Sequence, residues 1–267
     1  MELPDLKGKA AIVTGSSSGI GAAVALGLAR RGANVVVNYS RSEAEAETVA
    51  AAVKSAGAEV RVVKGNVALD ADCKRLAAAA LDAWGRIDIL VNCAGITKFV
   101  GHGDLDGLSA EDFANIYAVN VIGPFQMIRA CRTALAAHGE GAVVNISSIA
   151  GIEGVGSSVA YAASKGALNT MTLSLARALA PAIRVNAICP GFVSTSWFSK
   201  SFPPEVLEKV LAGQKESTPL KRVADGAEIA KSVIFMASPD SRHITGETLL
   251  VDGGMRLTIT VRGRSSA

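Results

Sequence analysis

The sequence predicts a doubly wound α/β fold, a mainly parallel sheet with helices on both faces, over 267 residues. Three observations point there. Strand-like and helix-like segments alternate six times along the chain. Several strand-like segments, "AAIV" and "NVVVN" among them, are unbroken apolar runs, the pattern of strands buried on both faces. The first of them ends in a glycine-rich turn that runs directly into a helical pattern. Parallel neighbours joined this way call for right-handed crossovers.

In order, "AAIVTG" (10–15) is a short strand ending in glycine, and a helical pattern follows to about residue 31. Residues 33–38 are the second strand. Residues 42–57 form an alanine-rich helix stopped by glycine. "EVRVVKG" (59–65) alternates as a strand does, 70–84 is helical, and "IDILVN" (87–92) is a strand. A long helix is expected over 110–137, kinked at Gly123-Pro124. Residues 141–147 form a strand, 159–179 a helix and 182–188 a strand. The region 192–225, with Pro203, Pro204 and Pro219, reads as irregular. A helix at 226–238 and a strand at 248–252 close the pattern. No repeat or linker divides the chain, so one domain is expected over 1–267, with a basic and apolar tail at 256–267.

Composition narrows the function. Net charge is +3 with no basic block before the tail, which argues against nucleic acid as the main partner. "MELPDLKGK" is too charged for a signal peptide, and no run approaches the ~20 apolar residues that cross a bilayer. Cys73, Cys93, Cys131 and Cys189 are scattered and read as buried thiols of a reducing cytoplasm. His102, His138 and His243 are equally dispersed, and no metal site is expected.

In an open α/β sheet, ligands bind at the carboxyl ends of the strands. The first such end is "TGSSSGIG" (14–21), where Gly15, Gly19 and Gly21 permit a tight turn and let a phosphate approach backbone N–H groups at a helix start. Ser17, Ser18 and Ile20 belong to the same cradle. A glycine-serine stretch alone is also an ordinary turn; its place between first strand and first helix favours a dinucleotide. Where an NAD site needs a carboxylate after the second strand, this chain reads "VVNYSRS", with Asn38, Ser40 and Arg41 and no acid. A guanidinium there suits a 2′-phosphate and predicts NADP(H), the competing reading of Arg41 being a solvated residue at a helix start.

"YAASK" (161–165) sets Tyr161 and Lys165 one helical turn apart. Taken alone, the pair is equally a half-buried aromatic beside a solvated lysine. The remaining motifs settle its context. "TGSSSGIG", "NCAG" (92–95), "YAVNVIG" (117–123), "NISSIAG" (145–151), "YAASK", "NAICPG" (186–191) and "VDGG" (251–254) occur in this order on the expected elements. Over about residues 5–255 the chain resembles the short-chain dehydrogenase/reductase family, and broadly its 3-oxoacyl-[acyl-carrier-protein] reductase-like members. One departure is "GNV" (65–67), where the family often has aspartate near the adenine; Asn66 offers an amide instead.

The resemblance implies carbonyl–alcohol interconversion by hydride transfer. Tyr161 would be the general acid/base, with a cation one turn away lowering its pKa from ~10 toward working pH. Lys165 would supply that cation and bind the nicotinamide ribose. Ser148, thirteen residues before Tyr161, would orient the substrate oxygen, with Ser147 as its near competitor. Asn120 would hold a water linking Lys165 to solvent, against the plainer reading of an amide capping backbone groups. Asn66, Val67, Asn92, Ala94, Gly95, Pro190, Gly191, Val193 and Thr195 would line the cofactor. Residues 192–225, with Trp197, Phe198 and Phe202, would form a substrate lid or simply a packed loop, and Thr97, Phe99 and 152–158 are further pocket candidates. The expected partners are a small carbonyl or alcohol substrate and further copies of the chain as a homodimer or homotetramer. A carrier-protein-bound substrate is the alternative, and a catalytically silent dinucleotide sensor the alternative of another class.

Overall fold

The computed structural model describes residues 5–195, 197 and 203–258. Among these, nine strands are formed: β1 (Ala10–Val13), β2 (Asn34–Tyr39), β3 (Val60–Lys64), β4 (Ile89–Asn92), β5 (Gly141–Ile146), β6 (Ile183–Pro190), β7 (Val193–Ser194), β8 (Ala224–Asp225) and β9 (Thr248–Val251). The first six and β9 make one parallel sheet in the order β3-β2-β1-β4-β5-β6-β9, while β7 and β8 pair separately. This is the doubly wound, Rossmann-type sheet.

Two-sided burial explains the apolar runs. Along β1 and β2, Ala11, Val13, Val35 and Val37 enter one core with Val24 and Leu28 of α1 (Gly19–Ala29), Val53 of α2 (Glu43–Ser55), and Val233 and Ile234 of α9 (Gly226–Ala237). The alternate residues Ile12 and Val36 enter the other. There they meet Leu76 of α3 (Asp70–Trp84), Met127 and Leu135 of α5 (Gly123–Ala136), and Ala176 of α7 (Val159–Leu179). Both halves of the period-2 repeat are therefore apolar. Winding reverses at β1, which pairs with β2 on one side and β4 on the other. The crevice at their carboxyl ends is where such folds hold ligands.

Two expectations are corrected. The helix expected over 110–137 is continuous, but its irregularity falls before Gly123-Pro124, at a π-turn over Ala118–Ile122 that joins α4 (Ala110–Tyr117) to α5. Pro124 lies in the first turn of α5, directly after the π-turn. Gly123 is required because a Cβ would sit 2.7 Å from Val67 Cγ2. The second correction concerns 192–225, which contains an ordered helix, α8 (Pro204–Ser217). Its prolines start that helix instead of breaking it. The short α6 (Ala150–Glu153) was not expected at all. Phe198, Phe202 and most of the tail lie outside the described residues.

Candidate active site

Turn geometry builds the first wall. Gly15 has φ 61°, and a Cβ on it would stand 2.8 Å from Ala94 Cα. A Cβ on Gly21 would stand 2.5 Å from the Gly15 carbonyl. The turn and its neighbour at Ala94–Gly95 can close only with glycine at these points. Thr14 Oγ1 accepts from the Cys93 and Ala94 N–H groups at 3.0 and 3.1 Å, tying the loop to the end of β4. Ser16 donates to the Val13 carbonyl and accepts from Asn38 N–H. Ser17, Ser18, Gly19 and Ile20 are partly exposed at the mouth of α1. Gly19 faces Thr195, whose Cβ is 3.5 Å from where a glycine Cβ would be.

Asn38 departs from the expected role of ligand. It is buried, its Oδ1 accepts from Gly15 N–H at 3.0 Å, and its Nδ2 donates to the Gly65, Val63 and Tyr39 carbonyls. The amide is spent on holding the loop in place. Ser40 and Arg41 are exposed beyond it. Glu43, the next acid, is hydrogen-bonded by the Tyr39 hydroxyl.

Asn66 is exposed, and its Oδ1 caps Ala68 N–H at 3.1 Å. Val67 is buried, and its carbonyl accepts from Gln126 Nε2 at 2.9 Å. Asn92 donates to Asn145 Oδ1, Asn145 to Thr172 Oγ1, and Thr172 to the Leu168 carbonyl, each at 2.9 Å. This chain cross-braces β4, β5 and α7, and the motif did not reveal Asn145 or Thr172 as its members. Asn92 Oδ1 stays buried without a partner. Pro190 and Gly191 end β6 through backbone bonds to Ile149 and Val251, and Val193 is buried in the β7–β8 ladder.

The four expected catalytic side chains converge at the carboxyl ends of β4 and β5. A Cβ on Gly95 would lie 3.4 Å from Asn120 Oδ1, 3.8 Å from Lys165 Nζ and 3.9 Å from Trp197 Cη2. Lys165 is buried, donates to the Ile146 carbonyl at 2.8 Å, and has Nζ 5.6 Å from the Tyr161 ring centroid. Tyr161 shares a hydrogen bond with the Ser148 hydroxyl. Ser147 instead donates to the Lys165 carbonyl at 3.2 Å, which leaves Ser148 as the serine facing the tyrosine.

Asn120 shows the plainer of its two expected arrangements, an amide bonded to backbone groups. Its Oδ1 accepts from Ile96 N–H at 2.9 Å, and its Nδ2 donates to the Ile96 carbonyl and to Ser164 Oγ at 3.0 Å. Ser164 in turn donates to the Tyr161 carbonyl at 2.7 Å. The side chain clasps the loop after β4 to α7, with both amide N–H groups and one of the two Oδ1 lone pairs engaged. The π-turn is what swings it wholly inside.

The electrostatics also differ from expectation. Tyr161 is half-buried, and burial pushes its phenol up to about 12, partly offset by the Ser148 hydrogen bond. Burial brings Lys165 down to about 8. The expected lowering of the phenol by Lys165 is absent, because desolvation outweighs a cation committed to a carbonyl. Cys93 beside them is pushed up to about 11 by burial and is a neutral thiol. Thr97 and Ser157 meet through their hydroxyls at 2.6 Å, so the two candidate pocket loops touch. A cavity of about 500 Å³ opens under α8, lined by Leu211, Lys215 and Arg222, and none of the four side chains expected to be catalytic borders it.

Residues 15–256 match a family model described as enoyl-(acyl carrier protein) reductase. A Streptomyces violaceoruber protein provisionally named ketoacyl reductase 2 of the granaticin polyketide synthase is 42% identical over 248 residues, 92% of this chain and 96% of that protein. The 3-oxoacyl-[acyl-carrier-protein] reductase FabG of Staphylococcus epidermidis is 36% identical over 251 residues, covering 92% and 98%. A crystal structure provisionally described as a short-chain dehydrogenase/reductase from Burkholderia xenovorans superposes with a TM-score of 0.87 at 42% identity, over 93% of this chain and 98% of that one.

Proposed function

This chain belongs to the short-chain dehydrogenase/reductase family and is an oxidoreductase acting between carbonyl and alcohol groups; from that premise we propose NADP(H) as its cofactor and Tyr161 as its acid–base group. The observation that carries the reading is the convergence of Tyr161, Ser148 and Lys165 beside a glycine turn that a Cβ at Gly15 or Gly21 would crowd. A nicotinamide dinucleotide fits that cradle. Its pyrophosphate would meet Ser17–Gly21 at the start of α1, and its nicotinamide end would meet Lys165, Val193 and Thr195. Ser40 and Arg41 would take a 2′-phosphate. The nearby carboxylate of Glu43 is engaged by Tyr39, which supports NADP(H) over NAD(H).

When bound, NADPH would supply the hydride. The chain's own residues do the rest. Ser148 orients the carbonyl oxygen and donates to it as negative charge develops. Tyr161, held protonated by its surroundings, gives its O–H proton to that oxygen, and the alcohol results. Lys165, largely charged at neutral pH, would bind the nicotinamide ribose, and the phenolate left on Tyr161 would be reprotonated from solvent. Asn120 and Ser164 are positioning residues that fix the backbone around Tyr161. Partly exposed Ile122, Phe125 and Leu173 on the outer faces around α5 and α7 support a homodimer or homotetramer. The four free thiols support a reducing, cytoplasmic setting.

Tyr161→Phe tests the assignment. It keeps the ring and removes the proton, so kcat should fall at least ~10²-fold with NADPH binding nearly intact. Near-normal turnover would refute it. A second reading, a β-ketoacyl group delivered on a carrier protein, is favoured by the names of the relatives. It predicts a kcat/KM for the carrier-bound substrate far above that for the same acyl group on a simple thioester, weakening with salt. The small-molecule reading predicts little difference.

A further inference from the structure

Trp197 stands over the reacting centre. Its ring centroid is 6.4 Å from that of Tyr161, at an interplanar angle of 55°. Within that separation aromatic rings attract, and tilted or offset arrangements are favoured. The indole edge is also 3.9 Å from the point above Gly95 where Lys165 and Asn120 converge. Tyr161 must point its hydroxyl at the reacting oxygen, so its ring is held in place. The indole beside it is a second π surface, adjoining whatever group flanks the substrate carbonyl.

The neighbouring segments have the same character. Ile96 and Phe99, on the loop after β4, are 37% and 39% exposed. Gly156 has φ 114°, and a Cβ there would be 3.7 Å from Tyr161 Cδ1; glycine leaves that ring edge uncovered. The lysine on these segments, Lys98, is already paired with Asp112 at 2.8 Å, and Arg256, which reaches them from beyond β9, is paired with Glu153 at 2.6 Å. A carboxylate on the substrate would lose hydration without gaining a partner from them.

We propose that Trp197 determines specificity, packing against a flat, uncharged aromatic body attached to the substrate's carbonyl. This rests on the reading of Tyr161 as proton donor to a ketone. A matched pair isolates the effect, 2-tetralone against 2-decalone, which share a bicyclic shape and an unconjugated carbonyl but differ in aromaticity. The wild type should prefer 2-tetralone in kcat/KM by about tenfold, the scale of one good aromatic contact. Trp197→Ala should abolish that preference and Trp197→Phe keep most of it, with KM for NADPH unchanged in both. An unchanged ratio in Trp197→Ala, with turnover retained, overturns the proposal and leaves the Tyr161 reading standing.

A binding arm separates the two. The chain has two tryptophans, and Trp84 is bonded to Glu59 at the end of α3, at the other end of the strands. In a Trp84→Phe background, Trp197 is the sole indole. Saturable quenching of its emission by 2-tetralone in the presence of NADPH, and not by 2-decalone, is expected. Should no ketone be turned over, the Tyr161 reading fails and this arm decides alone; emission indifferent to 2-tetralone overturns the proposal.

Discussion

Lys165→Met gives a direct measure of how the site holds its charge. The lysine is buried, and burial carries its pKa from the ordinary 10.5 to about 8. At about 1.4 kcal/mol per pH unit, that is a cost of about 3 kcal/mol for keeping the ammonium in the folded chain. The sign follows from proton counts. Between about pH 8 and 10.5 the unfolded chain binds more protons at this residue than the folded one, so wild-type stability rises with pH through that window. Below about pH 8 the cost is fully present. Methionine has a similar length and carries no charge, so the variant escapes the cost at every pH.

The substitution also removes the bond from Nζ to the Ile146 carbonyl, leaving a buried acceptor unpaired for about 1–3 kcal/mol. That loss does not depend on pH and only offsets the two curves. Urea unfolding of both proteins at one concentration, from about pH 7 to pH 11, should therefore show a changing difference. The variant's stability relative to wild type should fall by up to about 3 kcal/mol across the window. The Tyr161 contribution is common to both proteins and cancels. A flat difference would mean that Lys165 titrates as a solvated lysine, and the buried ammonium would be wrong. Activity should be lost in the variant at every pH.

Arg41 and Asn38 should fail differently. Arg41→Ala should raise KM for NADPH about tenfold or more and leave KM for NADH nearly unchanged, the mark of a lost charge-assisted contact to a 2′-phosphate. Asn38→Ala releases Gly15 N–H and three carbonyls, so it should raise KM for both cofactors in parallel and lower Tm. A selective effect on NADPH in that variant would return Asn38 to the role of ligand. Tyr161→Phe should leave a mark in the alkaline range. The phenol is raised from 10.0 to about 12, so the wild type should lose stability relative to the variant as pH climbs between those values. For assembly, light scattering at micromolar concentration should give a multiple of 27.3 kDa; a monomer alone would remove the oligomer.

What the sequence made legible is what a single local rule determines. Strands β1, β2 and β4 show as apolar runs because both faces are buried, and the glycine turn shows because Gly15 and Gly21 leave no room for a Cβ. Tyr161 and Lys165 show because four residues make one turn. The rest depends on competition between partners. Pro203 and Pro204 are breakers inside a helix and starters at its end, so the place of α8 depends on which side of them the helix lies. The π-turn at Ala118–Ile122 follows from where α5 must pack, against Val67. Tyr161's pKa turns on burial, which sequence spacing does not reveal.

The amides are the sharpest case. Asn38, Asn92, Asn120 and Asn145 lie at carboxyl ends of strands or in the helix facing them, where a ligand is expected and where an amide looks like a ligand's partner. At the same ends, glycine turns and the loop after β4 leave backbone N–H and C=O groups without ladder partners. An amide answers one donor and one acceptor at once, as Asn120 does for both backbone groups of Ile96. A division of labour follows from that capacity: the asparagines brace the backbone around the crevice, and in the proposed mechanism Ser148, Tyr161 and Lys165 face what enters it.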